Sequence, residues 1–217
     1  MSTATRFDRQ KVLLLAQFSV LLAIEAIVCF TPLGSLPLGM MVATLSHVPV
    51  ILTAILLGPW LGSLMGFFFG LFSFLVWTFT PPSPLLAFAF TPFYSLGQFQ
   101  GNVWSVVICF VPRILIGLVA GGVFSLMAKS KKKTELEPLA ASLSGVLGSL
   151  INTVLVLGGI WLFFGRSYAA VNGVPYEGLL AALGGVVLSN GVLEAIIGGF
   201  LAAAVALPVL RVLRKQK

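Results

Sequence analysis

A few polar side chains interrupt an otherwise apolar chain, and these are the residues whose types could do chemistry. Within apolar stretches they are Glu25, His47, Arg113, Asn152, Asn190 and Glu194. A guanidinium in such a setting can hold a carboxylate through two parallel hydrogen bonds. Ionisable groups inside a membrane are costly, so they usually face a cavity or pair with a partner. The residue types therefore favour binding of an anion, or an internal ion pair.

Catalysis finds little support in the same residues. His47 is the single histidine, and no two carboxylates stand at a spacing that would suit acid and base roles. The chain also lacks the common hydrolase and phosphate-loop motifs. Cys29 and Cys109 both lie in apolar runs without metal-ligand spacing, where cysteine usually behaves as a small hydrophobe. We expect no enzyme activity, no metal and no cofactor.

Composition indicates the elements that must position these groups. The chain has 217 residues, of which 59% are hydrophobic and 9% charged, and its mean hydropathy is +1.09. These values exclude a soluble or a disordered domain. About 20 apolar residues are needed to span a bilayer as a helix. We therefore predict one all-α integral membrane domain over residues 1–217, with six transmembrane helices at about 11–30, 40–57, 60–79, 103–128, 138–164 and 178–210.

The basic residues predict the orientation of these helices. Of the 13 Lys and Arg residues, 11 lie within 6–11, 129–133 and 211–217. Because basic residues collect on the cytoplasmic side, both termini and the middle loop should face the cytoplasm. The clusters would also attract anionic lipid, whereas nucleic-acid binding is not expected. The protein should be a multi-pass protein of the cell membrane, and Arg113 and Arg166 need separate explanations.

This topology brings most of the polar groups to one depth. At 1.5 Å per residue, His47, Arg113 and Asn190 lie roughly 10–18 Å below the outer ends of their predicted helices. Glu25 and Asn152 reach the same outer half from the inside. A small-molecule site open to the outside is one explanation, and an Arg113–Glu25 ion pair is the other.

Individual roles remain open at this stage. His47 suits a hydrogen-bonded helix residue better than a ligand contact, although we keep it as a candidate. Asn190 and Glu194 share a helix face because they are four residues apart. We expect Asn190 to contact substrate and Glu194 to form a bond between helices.

Two further patterns lie in the connections and in helix faces. Tyr94, Gln98, Asn102 and Trp104 suit either a cap over a polar molecule or the membrane–water interface. Residues 85–93 are too short to span, and they would form a lid or an ordinary packed loop. Glycines at 58, 62, 66 and 70 predict a close helix contact, either inside the protein or with a sliding partner.

The sequence resembles the substrate-binding S components of energy-coupling factor (ECF) vitamin transporters. The segments that carry the resemblance are LSHVPVILTAILLGPWLGSLMGFFFGLFSFL at 45–75 and CFVPRILIGLVAG at 109–121. Together with TPFYSLGQFQGN at 91–102, they look most like pantothenate-type members. The resemblance implies a six-helix fold with a vitamin site near the outer face and with connections 31–39 and 80–102 as lids.

The resemblance also implies partners, namely an ECF membrane coupling subunit and two cytoplasmic ATPase subunits. The family couples through small residues on the first helix, which here correspond to Ala16, Ser19 and Ala23. A carboxylic acid such as pantothenate would complement Arg113. The alternatives are another vitamin, such as folate or riboflavin, and a stand-alone proton-coupled transporter with Glu25 or Glu194 as the proton carrier.

Overall fold

The computed structural model describes residues 3–34, 36–38, 41–128 and 133–215. Helices dominate this part of the chain, and two short antiparallel hairpins join some of them. The helices are α1 Thr3–Phe30, α2 His47–Leu57, α3 Pro59–Phe79, α4 Val103–Ala128, α5 Lys133–Val171, α6 Tyr176–Val186 and α7 Val192–Lys215. The hairpins are β1 Leu36–Leu38 with β2 Met41–Ala43, and β3 Ser95–Leu96 with β4 Phe99–Gln100.

Neighbouring helices of the bundle run antiparallel. Gly66 and Gly70 of α3 face Arg113 and Phe110 of α4 in reverse order along the chain. A five-residue π-helical turn, Val187–Gly191, joins α6 to α7, so that 176–215 forms one continuous rod. Within the described residues, five helices are long and apolar enough to cross a membrane, and α2 is a shorter apolar helix. The start of α1 and the end of α7 therefore lie at the same end of the bundle. The opposite end, which carries both hairpins, is called the loop end below.

The second helix is shorter than the predicted 40–57. Residues 41–43 form strand β2, and the helix begins only at His47, which leaves 11 residues or about 16 Å of rise. A short apolar run with the β-branched Val42 and Thr44 fits a strand as well as a helix, and periodicity does not separate the two. Residues 39, 40 and 129–132 belong to predicted segments that lie outside the described residues.

Other helix ends also differ from their predictions: α1 begins at Thr3 instead of about 11, and α7 ends at Lys215 instead of about 210. Helix α5 continues to Val171, beyond the predicted end at 164, so the connection to α6 is only a short turn around Gly173. Residues 84–89 form a 3-10 turn that packs against α4 and α5, and Leu86, Phe88 and the adjacent Phe90 are nearly inaccessible. Residues 86–91 are thus packed into the loop end, whereas Leu85 and Phe93 at either side are exposed.

The glycine spacing on α3 forms a close contact inside the protein. A side chain at Gly66 would meet the backbone carbonyl carbon of Arg113 at 2.7 Å, and one at Gly62 would meet Cα of Ala54 at 2.7 Å. Gly70 faces the Phe110 ring in the same way. Gly58 is different, because it has φ +99° and turns the chain between α2 and α3. The stripe therefore lets α4 and α2 approach α3 at backbone distance.

Candidate functional site

A small polar cavity lies among the helices toward the loop end. It has a volume of about 40 Å³, and it mixes ionisable, amide, hydroxyl and aromatic side chains. Residues from four of the rods and from the 84–89 turn reach it. Its lining consists of Thr44, Ser73, Trp77, Leu86, Phe90, Arg113, Asn152, Thr153, Val156, Val186, Asn190 and Glu194.

Arg113 occupies the α4 side of this cavity, and the residue before it explains how the guanidinium is held. Pro112 lies inside α4 and has no backbone N–H, so the carbonyl of Ile108 four residues earlier loses its usual helix partner. Arg113 Nη1 donates a 2.7 Å hydrogen bond to that carbonyl oxygen. Pro112 thus leaves the Ile108 carbonyl without its helix partner, and the guanidinium of Arg113 donates to that carbonyl instead.

Two aromatic rings flank the same guanidinium. Its central carbon lies 5.4 Å from the ring centroid of Phe69 and 5.5 Å from that of Phe90. Trp77 stacks on Phe90 at 4.4 Å and supports this wall. Cation–π contacts stabilise a desolvated guanidinium without using its donors. Arg113 Nε has no hydrogen-bond partner in the described chain, although the side chain is only 4% exposed.

Asn152 and Asn190 supply amide groups to the cavity from α5 and from the π-helical turn. The Oδ1 atom of Asn152 is buried and has no hydrogen-bond partner among the described residues. Asn190 lies within the turn Val187–Gly191, where the helix widens. Such turns insert one extra residue and often occur at functional sites. The structure therefore brings together three predicted site residues, Arg113, Asn152 and Asn190.

Glu194 also lines the cavity, one turn further along α7 than Asn190. Its Oε1 accepts a 2.6 Å hydrogen bond from the backbone N–H of Thr44, and its Oε2 accepts a 3.1 Å bond from the Thr153 hydroxyl. The predicted bond between helices is thus confirmed as the contact with α5. The sequence did not indicate the hydrogen bond from Thr44 to Glu194, and it did not indicate that Glu194 lines the cavity.

The alternative of an Arg113–Glu25 ion pair is wrong. Glu25 is fully buried on α1, where its Oε1 accepts a hydrogen bond from Cys29 Sγ at 3.1 Å. Its Oε2 has no hydrogen-bond partner in the described chain. Glu25 is also absent from the cavity lining. Glu25 therefore does not compensate the charge of Arg113, and the acidic side chain that shares the cavity with Arg113 is Glu194.

His47 lies next to the cavity wall without lining it. The ring is fully buried in the first turn of α2, and Nε2 lies 3.3 Å from the position that a side chain at Gly198 would take. The Thr44 backbone lies beside the ring, yet neither ring nitrogen forms a hydrogen bond of acceptable geometry in the described part of the chain. His47 is thus a buried residue of helix α2, and its hydrogen bonding and its contact with a ligand both stay predictions.

The four predicted cap residues all lie outside the cavity. Asn102 Oδ1 accepts a 2.9 Å hydrogen bond from the N–H of Trp104 and so caps the start of α4. Trp104 stacks on Phe163 of α5 at 4.1 Å, and half of its surface is exposed. Tyr94 and Gln98 belong to the exposed or half-buried turn around β3 and β4. A role of these residues over a ligand stays a prediction.

Helix α1 turns its predicted small-residue face outward. Ala16, Ser19 and Ala23 are all exposed, and large apolar side chains such as Val20 and Ile27 surround them. The opposite side of α1 carries the buried Glu25 and Cys29. Arg166, the other isolated cation, is exposed near the end of α5, where its guanidinium lies 5.8 Å from the ring centroid of Tyr176.

A second, larger hollow lies between the loop ends of α1 and α3. Its volume is about 290 Å³, and its lining has no charged side chain: Cys29, Phe30, Thr31, Pro32, Val76, Thr80 and Pro82. The smaller cavity is chemically richer, because it combines a cation, an anion and two amides. We therefore take the cavity around Arg113 as the candidate site.

Long apolar helices around a polar, partly unsatisfied cavity define a multi-pass membrane protein that handles a small polar molecule. The family model described as "ECF transporter, substrate-specific component" matches residues 14–210. The chain belongs to this family.

Two curated relatives are similar over most of their length. The pantothenic acid transporter PanT of Lactococcus lactis subsp. cremoris is 36% identical over 165 residues, which cover 75% of this chain and 74% of the relative. The pantothenate transporter PanT of Leuconostoc mesenteroides subsp. mesenteroides is 31% identical over 179 residues, which cover 80% and 79%. The family and these relatives are transporters.

Proposed function

We propose that this chain binds pantothenate and delivers it to an ECF-type importer, without enzymatic activity of its own. The observation that carries the proposal is the state of Arg113. Its guanidinium is buried, and it uses one donor on Ile108 while Nε has no hydrogen-bond partner in the described chain. Glu194 shares the cavity, yet the spare donors of a buried guanidinium still suit a carboxylate on the ligand. The names of the two relatives point to pantothenate as that anion.

The chemistry of pantothenate fits the other polar groups as well. Pantothenate is a small carboxylic acid that also carries an amide and two hydroxyls. Its carboxylate would meet Arg113 bidentately. The unpartnered Oδ1 of Asn152 would accept a hydrogen bond from the amide or a hydroxyl, and Asn190 would supply a second amide.

Binding of such a molecule requires the cavity to widen. Its volume of about 40 Å³ is far below the roughly 300 Å³ at which ordinary ligand pockets begin. The walls closest to the loop end are the turn that contains Leu86, the adjacent Phe90, and Thr44 after β2. Movement of these segments away from Arg113 would open a path from the loop end, in keeping with the proposed lids.

The proposal includes an orientation and partners. Six helices, with α2 as the short one, would cross the membrane with both termini in the cytoplasm, so that the cavity opens outward. An ECF membrane coupling subunit and two cytoplasmic ATPases would complete the importer. The exposed strip of Ala16, Ser19 and Ala23 on α1 offers the membrane subunit a surface for close helix packing.

Titration of the purified protein with pantothenate tests the proposed substrate. The wild type should bind it, and mass spectrometry of molecules released from the purified protein should find it. Arg113→Gln should weaken binding by about 2–5 kcal/mol, as for one side of a buried charge pair. Arg113→Lys should keep only part of the wild-type affinity, because lysine cannot donate two parallel hydrogen bonds to a carboxylate.

Arg166→Gln provides the matched control, because it removes an exposed arginine away from the cavity. It should bind as the wild type does. Wild-type affinity in a folded Arg113→Gln protein would show that Arg113 does not hold the carboxylate. Failure of the wild type to bind pantothenate would overturn the substrate itself.

A further inference from the structure

We propose that Glu194 determines specificity by accepting a hydrogen bond from a hydroxyl of the substrate. The proposal rests on the proposed function, because it concerns the same cavity and the same ligand. It assigns the site two chemically opposite ends. The guanidinium of Arg113 on α4 would receive the substrate's carboxylate, and the carboxylate of Glu194 on α7 would receive its donor-bearing end.

The first argument is that Glu194 is fixed in place and still has capacity. Each of its oxygens accepts one hydrogen bond, one from Thr44 N–H and the other from the Thr153 hydroxyl. An ionised carboxylate offers about four acceptor sites. These two bonds therefore orient the group while about two sites stay available. The side chain is 7% exposed and lines the cavity, so a ligand in the cavity can reach it.

The second argument is the sign of the charge. An ionised carboxylate accepts hydrogen bonds and donates none. A ligand group beside Glu194 must therefore bring an O–H or N–H, whereas a second ligand carboxylate there would be repelled. The substrate class that fits is a monocarboxylic acid with hydroxyl donors at a distance from its acid group. Dicarboxylic acids and acids without donors would be rejected, the former by repulsion and the latter by an unfilled acceptor.

The third argument is the way the helix presents the residue. Asn190 and Glu194 are four residues apart and both line the cavity, and the π-helical turn Val187–Gly191 lies directly before α7. The wider turn places an amide and a carboxylate on the same wall. An amide can donate or accept, so Asn190 tolerates either kind of ligand group. Discrimination by charge on this wall thus falls to Glu194.

The test compares pantothenate with an analogue in which both hydroxyls are replaced by hydrogen. Equilibrium titration gives the affinity ratio of the two ligands for wild type, Glu194→Gln and the control Glu177→Gln. A hydrogen bond to a charged group contributes enough for about a 10- to 100-fold ratio in the wild type. We expect the ratio in Glu194→Gln to fall to within about 3-fold. Glu177 is exposed at the start of α6, so its variant should keep the wild-type ratio.

Each outcome bears on the proposal in a different way. An affinity ratio that stays at the wild-type value in Glu194→Gln, whether both ligands bind equally more weakly or as before, would overturn the proposal, because Glu194 would then only hold Thr44 and Thr153 in place. Should Glu194→Gln fail to fold, Glu194→Asp keeps the charge with a shorter reach, and a reduced ratio in that variant supports the proposal whereas a wild-type ratio counts against it. Wild-type protein that binds no pantothenate would instead remove the substrate and this proposal with it.

Discussion

Replacement of Gly66 by alanine tests whether the contact between α3 and α4 holds Arg113 at its height in the bundle. The new methyl group would lie 2.7 Å from the carbonyl carbon of Arg113 and 2.9 Å from Cα of Ile114, where ordinary contacts begin at 3.4 Å. The closest neighbour of all is the carbonyl oxygen of Arg113. All three are backbone atoms, so the helices must separate by roughly 1 Å. Overpacking of this kind typically destabilises by about 1–3 kcal/mol.

The same separation moves the segment of α4 that carries the guanidinium away from Phe69. Gly66→Ala should therefore lose both stability and ligand affinity. Thermal unfolding in detergent measures the first, with an expected fall of roughly 2–4 °C per kcal/mol for a chain of this size. Titration with pantothenate measures the second.

The matched control is Gly122→Ala on α4, where an added methyl group meets no atom within 4 Å. Helix propensity alone should raise its free energy of unfolding by up to about 1 kcal/mol, whereas Gly66→Ala should lower that of the protein. The reasoning would be refuted by a Gly66→Ala protein that melts and binds like the wild type. Equal effects of the two substitutions would refute it too, because they would reflect helix propensity and not the contact.

The remaining predictions concern coupling and orientation. Ala23→Leu adds bulk to the exposed strip of α1, so it should reduce vitamin uptake by the complete importer while the isolated protein still binds the vitamin normally. The control Ile24→Leu conserves volume on the same helix and should change neither uptake nor binding. Equal loss of binding and uptake in Ala23→Leu would indicate misfolding. A cysteine at Asn172, in the turn after α5, should react with an impermeant thiol reagent from outside the cell, because Cys29 and Cys109 are buried. A cysteine at Lys132 should stay unreactive from that side, and the opposite pattern would invert the topology.

Much of the site could be predicted from the sequence, because polar residues in membrane-spanning helices usually face the bundle interior or a cavity. The depth argument placed Arg113, Asn152 and Asn190 together, and all three line one cavity. The helix predicted at 103–128 has the bounds of α4, since charged or polar residues flank a long apolar run. The glycine period on α3 likewise predicted a close helix contact, which is formed with α2 and α4.

The remainder depended on contacts between distant parts of the chain. Glu194 and Thr44 are 150 residues apart, and no local pattern announces their hydrogen bond. The link between Pro112 and the Arg113 guanidinium has a local signal in the Pro-Arg dipeptide, because the proline frees a carbonyl within reach of the next side chain. The depth argument also grouped Glu25 and His47 with the site, because it measures height in the membrane and does not say which way a helix face points.

The π-helical turn has a consequence for how this helix can change in evolution. One extra residue in a helix rotates everything beyond it by about 100° relative to the part before it. Loss of a single residue between Val187 and Gly191 would restore a regular α-helix and preserve the span across the bilayer, but it would turn the faces of α6 and α7 relative to each other. Asn190 and Glu194 would then no longer share the cavity with Val186. A deletion of one codon would thus keep the length of this helix while removing Asn190 and Glu194 from the cavity wall.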